Sequence, residues 1–279
     1  MTNHAKIAAC VAALLIGSRA ECLAAESPPI VVEIESPLAS PQPLQGYLRQ
    51  SNRAGPSPAI VLLHSCNGDW GRLDERWGKR IASWGYVTLT VDSFGPRGLK
   101  TCGDSASDLL VMDAYRALNF LVKASFVDPS RIAVLGFSQG GRMALMSIER
   151  GAIEQTSPHK FAAAVAFYPP CRWFKGNVTV PTLILIGERD DLTPAAACRD
   201  MVEGRDEIGM SRQRYDGPAI KLIVYPGAYH GFDAPNVPTQ ARLPGHHLEF
   251  NQSATDQSIV ALREFLDATI GKTEQEKRE

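Results

Sequence analysis

Two kinds of apolar pattern alternate along the chain. Short apolar runs at residues 59–64, 86–91, 132–135, 161–167, 182–186 and 221–225 are flanked by turn-forming residues. Runs of this length read as strands buried on both faces of a parallel sheet. Between them lie stretches with helical spacing. In residues 105–123, Leu110, Ala114, Ala117, Leu118 and Leu121 recur at three- and four-residue intervals, opposite Asp113, Arg116 and Asn119. That predicts an amphipathic helix with those three polar residues on its outer face. Residues 72–84, 142–150 and 194–203 read as further helices, and Ile259, Leu262 and Leu266 stripe a closing one. Residues 46–49 read as an edge strand after a Pro-rich lead, and Asp128-Pro129 as a turn. Strands alternating with helices predict an α/β fold, a mostly parallel central sheet with helices on both faces. Ligands of such sheets bind outside the carboxyl ends of the strands.

The chemistry-bearing residues fall at those ends. The run 132–135 leads into Gly136-Phe137-Ser138-Gln139-Gly140-Gly141, and a helical stretch follows. Strand, tight turn and helix are the setting in which G-x-S-x-G raises a serine above a sheet edge. Glycines flank the serine because a Cβ there would collide with the neighbouring strand or helix. A serine hydroxyl is a weak nucleophile, so it needs a base, and the base needs an orienting group. His230, just past the run 221–225, is the candidate base. Asp190, in Gly187-Glu188-Arg189-Asp190-Asp191, is the candidate orienting carboxylate. Asp191 is its rival, and capping the helix that follows is the reading that accounts for it. The order Ser, Asp, His is that of the α/β-hydrolase arrangement. An oxyanion needs two aimed donors. By position these are the backbone N–H of Gln139 and that of Cys66, in His64-Ser65-Cys66-Asn67-Gly68, with Ser65 the alternative to Cys66.

With these residues in place, the sequence resembles the dienelactone hydrolase family of α/β-hydrolases over residues 45–270. The resemblance rests on Leu62-Leu63-His64-Ser65-Cys66-Asn67-Gly68, Asp92-Ser93-Phe94-Gly95-Pro96-Arg97-Gly98, the Ser138 elbow, Gly187-Glu188-Arg189-Asp190 and Tyr225-Pro226-Gly227-Ala228-Tyr229-His230. It implies Ser138, Asp190 and His230 as a catalytic triad. The founding enzymes carry a cysteine in the elbow and a glutamate in the first loop. Here Ser138 and Ser65 stand at those places, which implies a general serine esterase. Family members bind an anionic substrate group with arginine; Arg97 lies in a similar loop, and a structural salt bridge is its other reading. The expected reaction is cleavage of a small-molecule carboxylic ester or lactone through an acyl-serine, with no cofactor and no metal. A serine peptidase of the same fold and a non-catalytic binding protein are the alternatives.

Composition narrows the setting. The formal net charge is −1 over 279 residues, without a basic block, so nothing points to nucleic acid or anionic lipid. Residues 1–25 have the polar, apolar and small-residue layout of a cleaved signal peptide, and a disordered or membrane-tethering N-terminus is the other reading. An exported protein, periplasmic or secreted, is therefore expected. One α/β domain is expected over residues 26–271, with no membrane span after signal removal and a solvated tail at 272–279. Of the six cysteines, Cys10 and Cys22 leave with the signal segment. The remaining four permit three pairings. Cys66, Cys102 and Cys171 each follow a strand, so they should crowd one edge of the sheet; Cys66–Cys102 and Cys171–Cys198 is the expected set, with four separate thiols the alternative. His246 and His247 are adjacent, with no third ligand spaced to complete a metal site. Trp70, Trp77 and Tyr229 are candidates to line a substrate pocket, and residues 231–250 form a long loop that could cover it.

Overall fold

The computed structural model describes residues 28–35, 44–104, 110–205, 217–235 and 245–271. The expected signal segment and the tail lie outside them. Eight strands form one sheet: β1 (Ile30–Ile34), β2 (Leu44–Arg49), β3 (Ser57–Leu63), β4 (Val87–Asp92), β5 (Val127–Phe137), β6 (Ala163–Phe167), β7 (Thr182–Gly187) and β8 (Ile220–Tyr225). Their spatial order is β1-β2-β4-β3-β5-β6-β7-β8. β1 and β2 are antiparallel to their neighbours, and every pair from β4 onward is parallel. All residues of β3, β4, β6 and β7 are buried. Such strands need cover on both faces, which is why they read as unbroken apolar runs.

Helices supply that cover. α1 (Trp70–Leu73) runs through one wider turn, Asp74–Gly78, into α2 (Lys79–Ser83). The buried Asp74 fixes this stretch to the sheet. It accepts from Arg49 Nη2 at 2.7 Å and from Thr90 Oγ1 at 3.1 Å, so the buried charge is paired and hydrogen-bonded as its burial requires. α3 (Val111–Val122), α4 (Gln139–Met146), α5 (Ala152–Gln155), α6 (Ala195–Glu203) and α7 (Gln252–Leu266) are the other α-helices among the described residues.

Three features depart from the sequence expectations. β1 was not expected; it adds an antiparallel edge from Ile30 to Ile34. Its presence explains the second departure. Asp113 and Arg116, expected on the outer face of α3, are buried, because Arg116 Nη2 donates to Ile34 O at the end of β1 and Arg97 covers Asp113. The third lies in β5, which begins at Val127. Its pairing with β3 jumps from Ser57↔Val127 to Ala59↔Ile132, so Asp128-Pro129 is an irregularity within the strand and not a turn before it.

Candidate active site

Ser138 is the first residue past β5, at φ 52° and ψ −112°. This is a backbone conformation that costs a non-glycine residue energy. The turn is tight enough to exclude side chains on both flanks. A Cβ on Gly136 would stand 2.0 Å from Gly140 O, and one on Gly140 would stand 2.2 Å from Leu63 O. Ser138 N donates to Phe167 O on β6 at 2.9 Å, and Arg142 N donates back to Ser138 O at 3.0 Å. The elbow is thereby held by β6 on one side and by α4 on the other.

Three loops converge on it. His230 Nε2 lies 3.0 Å from Ser138 Oγ, and His230 Nδ1 lies 2.8 Å from Asp190 Oδ2. His230 and Asp190 are buried, while Ser138 is half-buried. Asp190 is fixed by its own loop: Oδ1 accepts from Leu192 N at 3.0 Å and Thr193 N at 2.7 Å, and Oδ2 lies 2.9 Å from Thr193 Oγ1. Three donors from its own loop hold the carboxylate in one orientation. Asp191 does not cap α6; the N-cap position of that helix is Pro194, with no side-chain cap bond. Asp191 is exposed and accepts from His247 N at 3.3 Å. Its chain neighbour occupies the inward position, and solvent holds Asp191 outside.

The loop after β3 is organised by His64. Its Nδ1 lies 2.8 Å from Ser65 O, and its Nε2 accepts from Ser93 N at 3.1 Å. The ring therefore carries its proton on Nδ1 and joins the β3 and β4 loops. Burial pushes its pKa below the ordinary value, outweighing the Ser65 bond and the nearby aspartates. Disulfides link Cys66 to Cys102 and Cys171 to Cys198. Cys102 N also donates to Cys66 O at 3.0 Å. Gln139 is the first residue of α4, where N–H groups have no partner within the helix.

The remaining expected site residues are placed elsewhere. Arg97 makes a two-pronged bridge to the buried Asp113, at 2.7 and 2.8 Å, and its Nη1 also donates to Ser93 O. That geometry is the structural reading of Arg97. Tyr229 packs its ring 4.1 Å from the His247 ring, with its hydroxyl 3.4 Å from Arg189 Nη1. Trp70 stacks on Tyr47, and Trp77 is buried against Phe137 and Phe167. Within the loop at 231–250, residues 236–244 lie outside the described set.

Sequence reasoning missed Thr193, Tyr168 and Asp233. Thr193 Oγ1 lies 3.1 Å from both His230 Nδ1 and Tyr168 O. The Tyr168 ring packs 4.6 Å from the His230 ring, and its hydroxyl donates to Asp233 Oδ1 at 2.7 Å. Burial, with the Asp233 charge beside it, pushes the phenol well above its ordinary pKa, so it remains a donor. Only Thr193 left a trace in the sequence, as a threonine directly after the Asx-turn that Asp190 makes with Leu192 N. Among the described residues no group of three His, Cys, Asp or Glu side chains is placed to hold a metal ion.

Residues 44–269 match the sequence profile of the family described as "Dienelactone hydrolase family". The chain belongs to the dienelactone hydrolase family. Its eight-stranded sheet is that of an α/β-hydrolase. Esterase 2 of Thermogutta terrifontis, in a structure phosphoramylated by tabun, superposes with a TM-score of 0.63 at 16% identity, covering 88% of this chain and 96% of that one. Cutinase 1 of Thermobifida cellulosilytica is 31% identical over 158 residues, 54% of this chain and 53% of the cutinase. Acylamino-acid-releasing enzyme 1 of Oryza sativa subsp. japonica is 25% identical over 231 residues, 64% of this chain but 28% of the rice enzyme. The chain thus spans about a quarter to a half of these two relatives.

Proposed function

We propose that this family member is a serine hydrolase that cleaves carboxylic esters or lactones through an acyl-serine. One observation carries the reading, the continuous line of hydrogen bonds from Ser138 Oγ through His230 to Asp190. In the reaction, Ser138 Oγ attacks the ester carbonyl as its proton passes to His230 Nε2. The tetrahedral oxyanion is stabilised by the N–H groups of Gln139 and Cys66, each worth roughly 10²–10³ in rate. Collapse expels the alcohol, which takes the proton from Nε2–H. Water then attacks the acyl carbon as its proton passes to Nε2, and collapse breaks the bond to Ser138 Oγ, which takes the proton back from Nε2 as the acid leaves. Asp190 keeps the Nδ1–H tautomer and stabilises the imidazolium throughout. The cutinase relative supports an ester substrate, and the acylamino-acid-releasing relative is what supports the peptidase alternative. The disulfides and the N-terminal residue pattern support a periplasmic or secreted location, where thiols pair.

The test is hydrolysis of a short-chain nitrophenyl ester by the purified chain beside Ser138→Ala. The variant is expected to lose about 10⁶-fold in kcat. Mass spectrometry after an organophosphorus ester should place one adduct on the Ser138 peptide. An inert wild type, or a variant as active as wild type, rejects the reading.

A further inference from the structure

We propose that Tyr168 and Asp233 are a positioning pair for His230, setting the tilt of its imidazole during acyl transfer; this rests on the serine-hydrolase reading above. Two hydrogen bonds fix the His230 ring nitrogens, one to Asp190 and one to Ser138. These two bonds lie in the ring plane, so they resist rocking of the ring about the line that joins them less than they resist a shift within the plane. A contact on the flank of the ring resists that rocking. The Tyr168 ring provides that contact, with its centroid 4.6 Å from the imidazole and its plane inclined by 60°.

Tyr168 is itself held against strain. Among the described residues, Ser138 and Tyr168 are the two non-glycines with positive φ, at 52° and 38°. Each is the first residue past a strand, β5 for Ser138 and β6 for Tyr168. Such conformations persist where the surroundings over-determine them, and they cluster at functional sites. Here the backbone N of Tyr168 donates to Leu185 O at 2.7 Å, and its carbonyl lies 3.1 Å from Thr193 Oγ1. That same threonine hydroxyl lies beside Asp190 and His230. The phenol is anchored to Asp233.

Asp233 has no solvent exposure. A carboxylate is costly to bury, so it is retained only with good partners. It accepts from Tyr168 on Oδ1 and from Trp77 Nε1 on Oδ2, each at 2.7 Å, and Arg76 Nε lies 3.1 Å from Oδ2. Trp77 and Arg76 belong to the helical stretch that follows the loop of Cys66. Asp233 is also three residues beyond His230 on the same turn. One buried charge therefore ties the His230 turn, the end of β6 and the helix after the first loop into a single body. A tyrosine needed only for packing would be as well served by phenylalanine, without a buried charge to hold it.

The experiment compares wild type, Ser138→Ala, Tyr168→Phe, Tyr168→Leu and Asp233→Asn. Active enzyme is counted by organophosphorus titration, and the downfield proton of the Asp190–His230 bond is observed by NMR. Tyr168→Phe and Asp233→Asn should each lose about tenfold in kcat per titrated site, and Tyr168→Leu about 10²-fold, the scale of an ångström of misplacement. KM should stay within about twofold of wild type in all three, since Tyr168 acts on the His230 ring and Asp233 acts through Tyr168. The downfield proton should move or broaden in the three variants and stay sharp in Ser138→Ala. Should Tyr168→Leu fail to fold, Tyr168→Phe and Asp233→Asn decide the matter. Unchanged kcat per titrated site, a loss confined to KM, or an unmoved downfield proton in those two overturns the proposal. Failure of the serine-hydrolase reading is separate, because it shows as an inert or untitratable wild type.

Discussion

At the scale of single residues, the site depends on atoms that cannot be replaced without loss of geometry. Gly140 is a clear case on the steric side, because what it would meet is the sheet itself. An added Cβ would meet Leu63 O at 2.2 Å and His64 O at 2.6 Å, both backbone atoms at the end of β3, which is paired on both sides and has no room to recede. Gly140→Ala is expected to destabilise the protein by about 3 kcal/mol or more, read from urea unfolding. Thr193 is the polar counterpart. Its hydroxyl has one proton and lies within 3.1 Å of Asp190 Oδ2, Tyr168 O and His230 Nδ1, so it can donate to only one carboxyl or carbonyl oxygen at a time. Thr193→Val keeps the shape and removes the hydroxyl. Asp190 retains two backbone N–H donors, so the expected loss is modest, about tenfold in kcat, or roughly 1.4 kcal/mol of barrier. A Thr193→Val rate equal to wild type would show that the backbone donors and His230 alone suffice.

At the scale of elements, the sequence was informative where one residue type answers one need. The parallel strands declared themselves because burial on both faces leaves an unbroken apolar run. The elbow was legible because only glycine fits at Gly136 and Gly140. Ser138, Asp190 and His230 were legible because each stands just past a strand in the order the chemistry uses. What stayed hidden depended on contacts between segments distant in sequence. β1, with Ile30 and Val31 exposed on the sheet edge, has no period-two pattern to announce it. Asp113 and Arg116 read as surface residues because their partners lie at Arg97 and at the end of β1. Asp233 lies 65 residues from Tyr168 and 156 from Trp77, separations no local pattern can reveal. The disulfides connect elements of the same rim. Cys171–Cys198 ties the end of β6 to α6 over a separation of 27 residues. Closing a loop of that length restricts the unfolded chain by about 3.5 kcal/mol. The double variant Cys171→Ala/Cys198→Ala should lose about that much stability in urea, with kcat per folded molecule retained, since the hydrogen bonds among Ser138, Asp190 and His230 do not run through either sulfur.

At the scale of the whole molecule, the candidate site is a junction. Ser138 comes from β5, Asp190 from the loop after β7, His230 from the loop after β8, and the Cys66 loop from β3. The sheet places these ends side by side, so the site and the global fold share their stability. That sharing makes pH a global variable through His64. The imidazole is buried, accepts from Ser93 N on Nε2 and has Nδ1 against Ser65 O. Protonating Nε2 would set N–H against N–H. Burial accordingly holds its folded pKa below the unfolded value of 6.5. Between the two values the unfolded chain binds the extra proton, so stability rises with pH there. The contribution of His64 is complete above about pH 6.5 and is lost as pH falls through the folded pKa. His64→Gln removes the titrating group. The stability difference between wild type and His64→Gln in urea should therefore be largest at pH 7.5 and shrink steadily from pH 6.5 to pH 5. A difference that is flat across that range would mean that His64 binds no fewer protons folded than unfolded. The join between the β3 and β4 loops would then rest on the Cys66–Cys102 disulfide and the Cys102 N to Cys66 O bond in place of the neutral ring.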